Sequence, residues 1–241
     1  MIEFHRYRNT VTVITLKIFT IILSISICRF VGQGVVRAQS AAQPDSSENP
    51  IKKIGDDLFQ LGTIRIDSKN RVLTMPGKIN MQKGMIELVA CATGGKTHES
   101  VVVVDVVPYH LQVALILLGL NYIGGLSVQG DTLTPRGDSV DVFMTWNKNG
   151  QDTTVRAEDF AWDIPNKRSM EHTPWIFSGS RMIDGKYMAD VEKSLVTTYH
   201  DPNSILDNPL STGRDDETYR VNESLVPPKG TPVKVTIKSI H

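Results

Sequence analysis

The densest group of reactive residue types in the chain is the stretch CATGGKTHES, residues 91 to 100. It places a thiol, an ammonium, an imidazole, a carboxylate and several hydroxyls close together in sequence. Enzymes use these groups as nucleophiles and as general acids or bases, and the thiol and imidazole are also ligands for zinc and copper. Whether they can act together depends on the local fold, which must bring their side chains to one face of the chain.

The glycine pair in this stretch predicts how its side chains are arranged. Gly94 and Gly95 lie between two runs typical of β-strands, which is a strong signal for a β-hairpin with a two-residue turn. In that register Cys91 lies directly opposite His98, with Cβ atoms about 4.5–5.5 Å apart. Because side chains alternate along a strand, Glu99 points to the other face. The hairpin therefore predicts one specific contact, between a thiol and an imidazole.

A contact between Cys91 and His98 has three interpretations. The imidazole can hold the thiol as a thiolate, which makes both side chains candidate catalytic residues. Both can also ligate zinc or copper, with His110 as the natural third ligand, since a catalytic zinc site needs about three protein ligands. Alternatively, Cys91 is buried packing beside a histidine whose ring is satisfied by a backbone carbonyl, because buried free cysteines are mostly inert. The residues after Ala38 contain no HxxxH or HxH pair, so no metal-binding motif supports the second interpretation.

The glycines and the lysine that follows them also form a candidate ligand site. The backbone N–H groups of Gly94 and Gly95 and the ammonium of Lys96 could bind a phosphate, and Glu99 is adjacent in sequence. The P-loop pattern GxxxxGKS/T is absent, and no helix follows the glycines. These four residues are therefore candidate ligand-binding residues, and a plain turn is the alternative.

The N-terminus has the layout of a secretory signal. Basic residues up to Lys17 precede a short apolar run, Ile18–Ile27, and small residues suited to cleavage end at Ala38. The apolar run is far shorter than the ~20 residues of a membrane-spanning helix. We therefore predict a signal peptide over residues 1–38 and an extracytoplasmic protein, either periplasmic or secreted. The alternative is an uncleaved N-terminal membrane anchor.

Charge and cysteine content narrow the function classes. Cleavage after Ala38 removes five of the 26 basic and one of the 26 acidic residues, which leaves 21 basic and 25 acidic residues. Such a mildly acidic chain offers no basic face for nucleic acid. Cleavage also removes Cys28 and leaves Cys91 as the single cysteine, which argues against an internal disulfide and against an iron–sulphur cluster of about four thiolates. Zinc or copper is the cofactor class left open, and an envelope protein is the predicted class of partner.

After the signal, the composition predicts a linker and one domain. Residues 39–55 are rich in Ser, Ala, Pro and acidic residues and are predicted to be a disordered linker. Residues 56–241 suit a single domain, in which short runs of Val, Ile, Thr and aromatic residues alternate with Gly, Pro, Asn and Asp. This pattern is typical of a mainly β fold. The predicted strands are Ile64–Ile66, Val72–Met75, Met85–Ala92, Val101–Val106, Val140–Trp146, Trp175–Ser178, Tyr187–Ala189, Leu195–Thr198 and Val233–Ile237.

One helix stands out within this β-rich pattern. The sequence PYHLQVALILLGL begins with Pro108, which suits a first helical turn, and Gly119 suits a left-handed stop. Its apolar residues fill most of the circumference, which predicts a central, largely buried helix over about residues 108–118. We therefore predict an α+β fold with a mainly antiparallel β-sheet or sandwich packed around this helix. Residues 201–228, which are polar and rich in turn residues, are predicted to be a long surface excursion.

Several sequence blocks carry a resemblance to a known family. They are CATGGKTHES followed by VVVVDVVPYHLQVALILLGL, then WIFSGSRM, YMADVEKSLVTTYHDPNSILDNP and VPPKGTPVKVTIK. In this order they resemble the YdjY-type domain family of exported bacterial proteins over roughly Gly62–Ile237, and the long lead is similar to that of planctomycete-type envelope proteins. The resemblance implies a single extracytoplasmic domain and no known activity. We therefore predict an exported, non-enzymatic envelope module that binds a ligand or a partner. The alternative is a metal-binding or thiol-dependent enzyme built on Cys91, His98 and His110.

Overall fold

The computed structural model describes residues 50–240, and β-strands dominate them. The predicted signal peptide and residues 39–49 of the predicted linker lie outside the described residues. The helices are α1 (Pro108–Leu117) and α2 (Met188–Glu192), and short 3₁₀ turns occupy Thr97–Glu99, Ala157–Phe160 and Ser211–Arg214. The strands are β1 (Ile51–Gly55), β2 (Leu58–Leu61), β3 (Ile64–Asp67), β4 (Val72–Ile79), β5 (Leu88–Ala92), β6 (Ser100–Val104), β7 (Tyr122–Gly124), β8 (Arg136–Gly137), β9 (Ser139–Lys148), β10 (Gln151–Arg156), β11 (Ala161–Asp163), β12 (Arg168–Ser169), β13 (Trp175–Phe177), β14 (Met182–Ile183), β15 (Lys186–Tyr187), β16 (Ser194–Thr197), β17 (Leu206–Asp207), β18 (Tyr219–Val221) and β19 (Pro232–Ser239).

Eight of these strands close into a barrel. The order around the barrel is β4, β19, β9, β13, β17, β16, β5 and β6, and β6 pairs with β4 to complete the ring. Neighbours are antiparallel except for two parallel pairs, β16 with β17 and β5 with β6. Strands β1 to β3 continue the sheet outward from β4, and β10 extends it from β9. The β-rich prediction is thus confirmed, but the sheet closes on itself instead of forming the two layers of a sandwich.

Along several barrel strands, side chains alternate between a buried face and an exposed face. In β9, Val142 and Met144 are fully buried, whereas Asp141 and Phe143 are partly exposed. Strand β19 repeats the pattern, with valine and isoleucine inside and lysine outside. A period of two matches the two faces of a pleated strand, so the inward residues fill the barrel. Strand β6 differs because all five of its residues are buried, as its uninterrupted valine run predicts.

Helix α1 lies against the barrel with one face only. It begins as predicted, and the glycine just beyond its end has the expected left-handed conformation. Leu111 and Leu115 are fully buried in the main core, whereas Tyr109, Ile116 and Leu117 are each about half exposed. One face of α1 is therefore buried as predicted, but the helix does not fill the centre of the fold, because the barrel is filled by the side chains of its own strands. Within residues 50–240, no helix has the length and apolarity needed to cross a membrane.

Three segments differ from their predictions. Ile51–Gly55, within the predicted linker, forms β1 and pairs with β2. Tyr187–Ala189, a predicted strand, spans the junction between β15 and α2. The predicted surface excursion begins with residues 201–208, all of which are buried, because their polar groups bond to one another and to neighbouring strands. Polar composition therefore did not indicate exposure in this part of the chain.

Candidate functional site

The stretch CATGGKTHES does not form the predicted hairpin. Strands β5 and β6 run parallel, and Cys91 lies opposite Val103 instead of His98. The connection between them turns back at Gly94, whose φ is 82°, and passes through a 3₁₀ turn before β6 begins. The antiparallel register is therefore wrong, and so is the contact between thiol and imidazole that it implied.

Close packing, rather than a two-residue turn, explains the second glycine. A Cβ atom at Gly95 would lie 2.5 Å from the Cβ atom of Lys193 and 3.3 Å from that of Cys91. The Lys193 carbonyl also accepts a hydrogen bond from the Ala92 N–H at 2.8 Å. Glycine at this position lets the connection lie against the start of β16. In the sequence, this packing requirement looks the same as a hairpin signal.

Cys91 and His98 occupy opposite environments. Cys91 is fully buried in a small apolar cluster with Leu88 and Val103, and burial raises the pKa of its thiol. The His98 side chain is 79% exposed, and its Nε2 lies 3.4 Å from a carboxylate oxygen of Glu99. A reactive cysteine needs a lowered pKa and partial exposure. The geometry therefore gives no support to the predicted catalytic pair.

The third predicted metal ligand, His110, contacts another part of the chain. It is half-buried on α1, and a Cβ atom at Gly62, in the turn between β2 and β3, would lie 3.0 Å from its Nδ1. No group of three or more His, Cys, Asp or Glu side chains among residues 50–240 is arranged to hold a metal ion. The metal-binding roles of Cys91, His98 and His110 thus stay a prediction without a supporting contact.

Two predicted ligand-binding residues, Lys96 and Glu99, do come together, in a larger cluster of charges. The Nζ atom of Lys96 lies 3.5 Å from Glu87 Oε2 and 3.5 Å from Glu99 Oε1. Burial acts to lower the pKa of Lys96, but the charges of Asp201, Glu87, Glu99 and Glu192 outweigh it and raise the pKa. We call these five residues the Lys96 cluster. A lysine held as an ammonium cannot serve as a nucleophile.

The carboxylates of the cluster have further partners. Burial raises the pKa of Glu87, and the nearby charge of Glu99 adds to the effect. Glu192 accepts a hydrogen bond from Asn203 Nδ2 at 2.5 Å, and burial, followed by the charge of Asp201, raises its pKa. Asp201 Oδ1 in turn accepts the Asn203 backbone N–H at 2.9 Å. The charges of Glu192 and Asp201 also act on Lys96, so the cluster couples the connection before β6 electrostatically to α2 and to the loop between β16 and β17.

The loop between β16 and β17 is polar yet buried, and it leads into Asp207. The Asp207 carboxylate accepts the Thr197 hydroxyl at 3.1 Å, the Asp201 backbone N–H at 3.3 Å and the Ser178 hydroxyl at 3.4 Å. Burial raises the pKa of Asp207 well above its ordinary value, and the charge of Asp201 adds to this. The three donated hydrogen bonds lower the pKa and offset part of this effect, so the carboxyl group acts as a hydrogen-bonding centre of the core.

His200 joins the same loop to two other segments. Its Nδ1 lies 2.7 Å from the Asp131 carbonyl oxygen, and its Nε2 lies 2.9 Å from the Asn208 carbonyl oxygen. Carbonyl oxygens only accept hydrogen bonds, so each ring nitrogen faces an acceptor of the main chain. Gly213 packs so closely that a Cβ atom there would lie 2.3 Å from the ring Cδ2. The ring is a structural clamp, with neither nitrogen left for a ligand.

Large apolar side chains face solvent around α1. Seven of them, which we call the apolar patch, are Tyr109, Ile116 and Leu117 on α1, Tyr122 and Ile123 on β7, and Met182 and Ile183 on β14. Their exposure reaches 64% at Ile123 and 62% at Met182. Residues 106–130 contain no Asp, Glu, Lys or Arg, and the carboxylate beside them is that of Asp190 on α2, whose Oδ1 accepts the Tyr109 backbone N–H at 3.0 Å.

Ring contacts and one buried hydrogen bond place these elements side by side. The rings of Tyr109 and Tyr187 meet edge to face with centroids 5.5 Å apart, which joins α1 to β15. The Tyr187 hydroxyl also donates to Gln112 Oε1 on α1 at 2.5 Å. The Tyr122 ring packs on Phe177 with centroids 5.5 Å apart, which joins β7 to the barrel strand β13. Tyr122 also packs against Gly179, and the Ser180 backbone N–H donates to Gln112 Oε1 on α1 at 3.2 Å, so the segment that leads into β14 lies beside both β7 and α1.

Sequence reasoning misses much of both features. Glu192 and Asp201 are far from Lys96 along the chain, and no local pattern brings them together. The apolar patch does have a sequence signal, because the charge-free run of residues 106–130 is much longer than α1 itself. Burial of one helix face does not account for the apolar residues that follow the helix. The length of the run was therefore the available sign of an exposed apolar surface.

Comparison with known proteins identifies the family. A protein-family model described as the YdjY domain matches residues 64–238. Searches of the curated proteins and of the solved structures give no significant match. The family match begins at β3 and ends one residue before the end of β19, so it includes the Lys96 cluster, the apolar patch and all of the barrel except Ser239. The resemblance in the sequence blocks is confirmed, and the chain belongs to the YdjY domain family.

Proposed function

We propose that this YdjY domain is an exported, non-enzymatic envelope module that binds a protein partner through the apolar patch. The partner surface that fits the patch is itself apolar and uncharged. One observation carries the proposal: seven large apolar side chains stand exposed around residues 106–130, a run without a single Asp, Glu, Lys or Arg.

Covering the apolar patch with a partner would remove its side chains from water and would therefore stabilise the complex. Complete removal of one large apolar side chain from water contributes about 1.5–3 kcal/mol, and these residues are only about half removed. Soluble monomers rarely expose contiguous apolar patches of large area. The centres of protein interfaces are rich in Tyr and Met and poor in charged residues, as this patch is. Its composition therefore favours an interface over a solvated surface.

The remainder of the domain gives no comparable support for catalysis. Cys91 is fully buried, Lys96 is a paired ammonium, and both nitrogens of His200 face carbonyl oxygens. A cleft of about 540 Å³ between β3 and β10 is lined by no Ser, Cys, His or Glu, and its charged residues include Asp152 and Lys234. The alternative of a thiol- or metal-dependent enzyme has no contact between Cys91 and His98 in its favour.

Export is the second part of the proposal, and the N-terminal sequence supports it. Basic residues, a short apolar run and small residues before Ala38 together favour a cleaved signal peptide. Mass spectrometry of the protein recovered from the envelope of the producing cell tests this. We expect the chain to begin at Gln39, whereas a chain that still begins at Met1 would favour the anchored alternative.

Site-specific photo-crosslinking in intact cells tests the binding function. A photoreactive amino acid is placed at Leu117 or Ile123 in the full chain. The matched control position is Leu225, which is similarly exposed but lines a separate cleft beside Trp146. We expect an adduct of one defined mass from both patch positions and none from Leu225. Mass spectrometry then identifies the partner, and binding is repeated with the purified proteins.

Two results would overturn the proposed binding function. The first is the absence of a discrete adduct at both Leu117 and Ile123. The second is an equal yield of the same adduct at Leu225, because a partner that contacts both regions alike does not recognise the patch.

A further inference from the structure

We infer that the protein bound at the apolar patch is a second copy of this chain, related to the first by two-fold symmetry. The inference rests on the proposed function and extends it, because it names the partner. Two-fold pairs are by far the commonest homo-oligomers, and their interface sets one surface against an identical surface. A surface suits this arrangement only if it is compatible with itself.

The centre of the apolar patch meets this condition. In a two-fold contact, an ionised residue close to the axis meets its own copy, and such like charges repel. Residues 106–130 contain no Asp, Glu, Lys or Arg, and the exposed pair Met182 and Ile183 adds none. Two copies can therefore bring Leu117 and Ile123 together without placing like charges against each other. The carboxylate of Asp190, which accepts the Tyr109 backbone N–H, belongs to the charged border of the patch.

The charges beside the patch are of both signs, which also suits a contact between identical copies. Asp184 lies in the turn of the β14–β15 hairpin, directly after the exposed residues of β14, and Lys186 follows on β15. Arg136 lies on β8, which pairs with β7. All three side chains are exposed, and none forms an ion pair with another described residue. Across a two-fold axis, an acidic residue of one copy can face a basic residue of the other, and symmetry repeats the contact.

Other occupants fit this surface less well. An anionic membrane attracts basic segments with about 1 kcal/mol for each Lys or Arg, and residues 106–130 supply none. Nucleic acid and strongly acidic proteins need the same missing basic patch. A strongly basic partner would need an acidic surface, which the mixed border does not offer. The neutral centre and the mixed charges at the border favour a partner whose surface is also neutral. A second copy of this chain carries the same surface and therefore meets this condition.

Sedimentation equilibrium of residues 39–241, the chain after the predicted signal peptide, tests the inference. Between roughly 1 and 100 μM, we expect the protein to reach twice the mass of one copy. Leu117→Asp and Ile123→Asp each place a carboxylate in the interface, and each should raise the dissociation constant at least about 100-fold. Leu225→Asp, outside the patch, should leave the dissociation constant within about twofold of the original value. Circular dichroism and urea unfolding confirm that each variant is folded.

Several outcomes would overturn the inference. A monomer at every concentration does so, as does a dimer that Leu117→Asp and Ile123→Asp leave intact or that Leu225→Asp weakens equally. Photo-crosslinking at Ile123 separates this failure from failure of the proposed function. A monomer that crosslinks to a different protein keeps the binding function and loses the self-partner, whereas a monomer without any adduct at the patch loses both.

Discussion

The Lys96 cluster and the apolar patch belong to one domain but satisfy their chemical groups in opposite ways. In the cluster, Lys96 contacts Glu87 and Glu99, and Asn203 bonds both Glu192 and Asp201, so the ionised groups find partners within the chain. In the patch, large apolar side chains are only about half covered within the described residues, and the remainder of each faces water. The charged residues of the cluster are thus paired with one another inside the fold. The apolar side chains of the patch are the ones that stay exposed.

The two regions should therefore respond differently to substitution. Removing a charge from the cluster leaves its partners buried and unpaired, so the loss falls on the free energy of unfolding. Removing an exposed apolar side chain deletes few contacts within the molecule, so the loss falls on association. Four predictions follow from this contrast and differ in the size of the expected effect.

The largest effect concerns the thiol beneath the cluster. In residues 39–241, where Cys91 is the single cysteine, we expect its thiol to react with a maleimide at least about 1,000-fold more slowly in the native protein than in urea. The reason is that Cys91 is fully buried, burial raises its pKa, and reaction must wait for an opening that costs several kcal/mol. His98→Cys in a Cys91→Ser background provides an exposed control that should react rapidly in the native state. If Cys91 in the native protein reacted as fast as the control cysteine, the result would favour the alternative hypothesis of a thiol-dependent enzyme.

The next effect is a loss of stability when the central cation of the cluster is removed. Lys96→Met leaves Glu87 and Glu99 partly buried without their cation, and we expect the free energy of unfolding to fall by about 3 kcal/mol. Urea unfolding monitored by fluorescence measures the change. Lys69→Met, at an exposed turn before β4, is the matched control and should change stability by less than about 0.5 kcal/mol. Equal effects of the two substitutions would show that solvent screens the cluster and would remove its contrast with the patch.

The parts of the fold that could be predicted are those set by local pattern. The alternation in Val140–Trp146 is enough to give β9 a buried and an exposed face, because the pleat of a strand has the same period wherever it lies. The proline and glycine that bound α1 act within one turn, so its existence and ends were also predictable. Both features need no knowledge of the rest of the chain.

The remaining features depend on residues that are distant in sequence. Barrel closure requires β6 to pair with β4, and nothing within either strand specifies that partner. Gly95 is needed because Lys193 packs against it, and a single sequence cannot separate that role from a hairpin turn. The candidate site failed for the same reason, since the register of Cys91 followed from the assumed hairpin. The polarity of residues 201–208 was equally ambiguous, because buried polar groups that bond to one another look the same in sequence as solvated ones.

A smaller effect should appear in the pH dependence of stability. Burial raises the pKa of Asp207, so the folded state keeps a proton that the unfolded chain releases above about pH 4. The folded state then binds more protons, and stability falls as the pH rises through this range. Asp207→Asn cannot titrate, so its stability should fall less between about pH 4 and pH 8, as measured by urea unfolding at each pH. The decline should not vanish, because the pKa values of Glu87 and Glu192 are also raised. Parallel curves for the two proteins would show that Asp207 does not titrate with folding.

The smallest effect on stability should come from the apolar patch, although its effect on association is large. Leu117→Ser and Ile123→Ser each remove a side chain that is at least about half exposed, so the monomer loses few internal contacts. We expect the free energy of unfolding of each monomeric variant to stay within about 0.5 kcal/mol of the value for the wild-type monomer. Unfolding at several protein concentrations separates the stability of that monomer from the contribution of association. Leu115→Ser, on the buried face of the same helix, is the control and should cost about 2–5 kcal/mol. If Leu117→Ser and Ile123→Ser cost as much as Leu115→Ser, these side chains already contribute to the fold of a single copy, and the patch is part of the core rather than a surface reserved for binding.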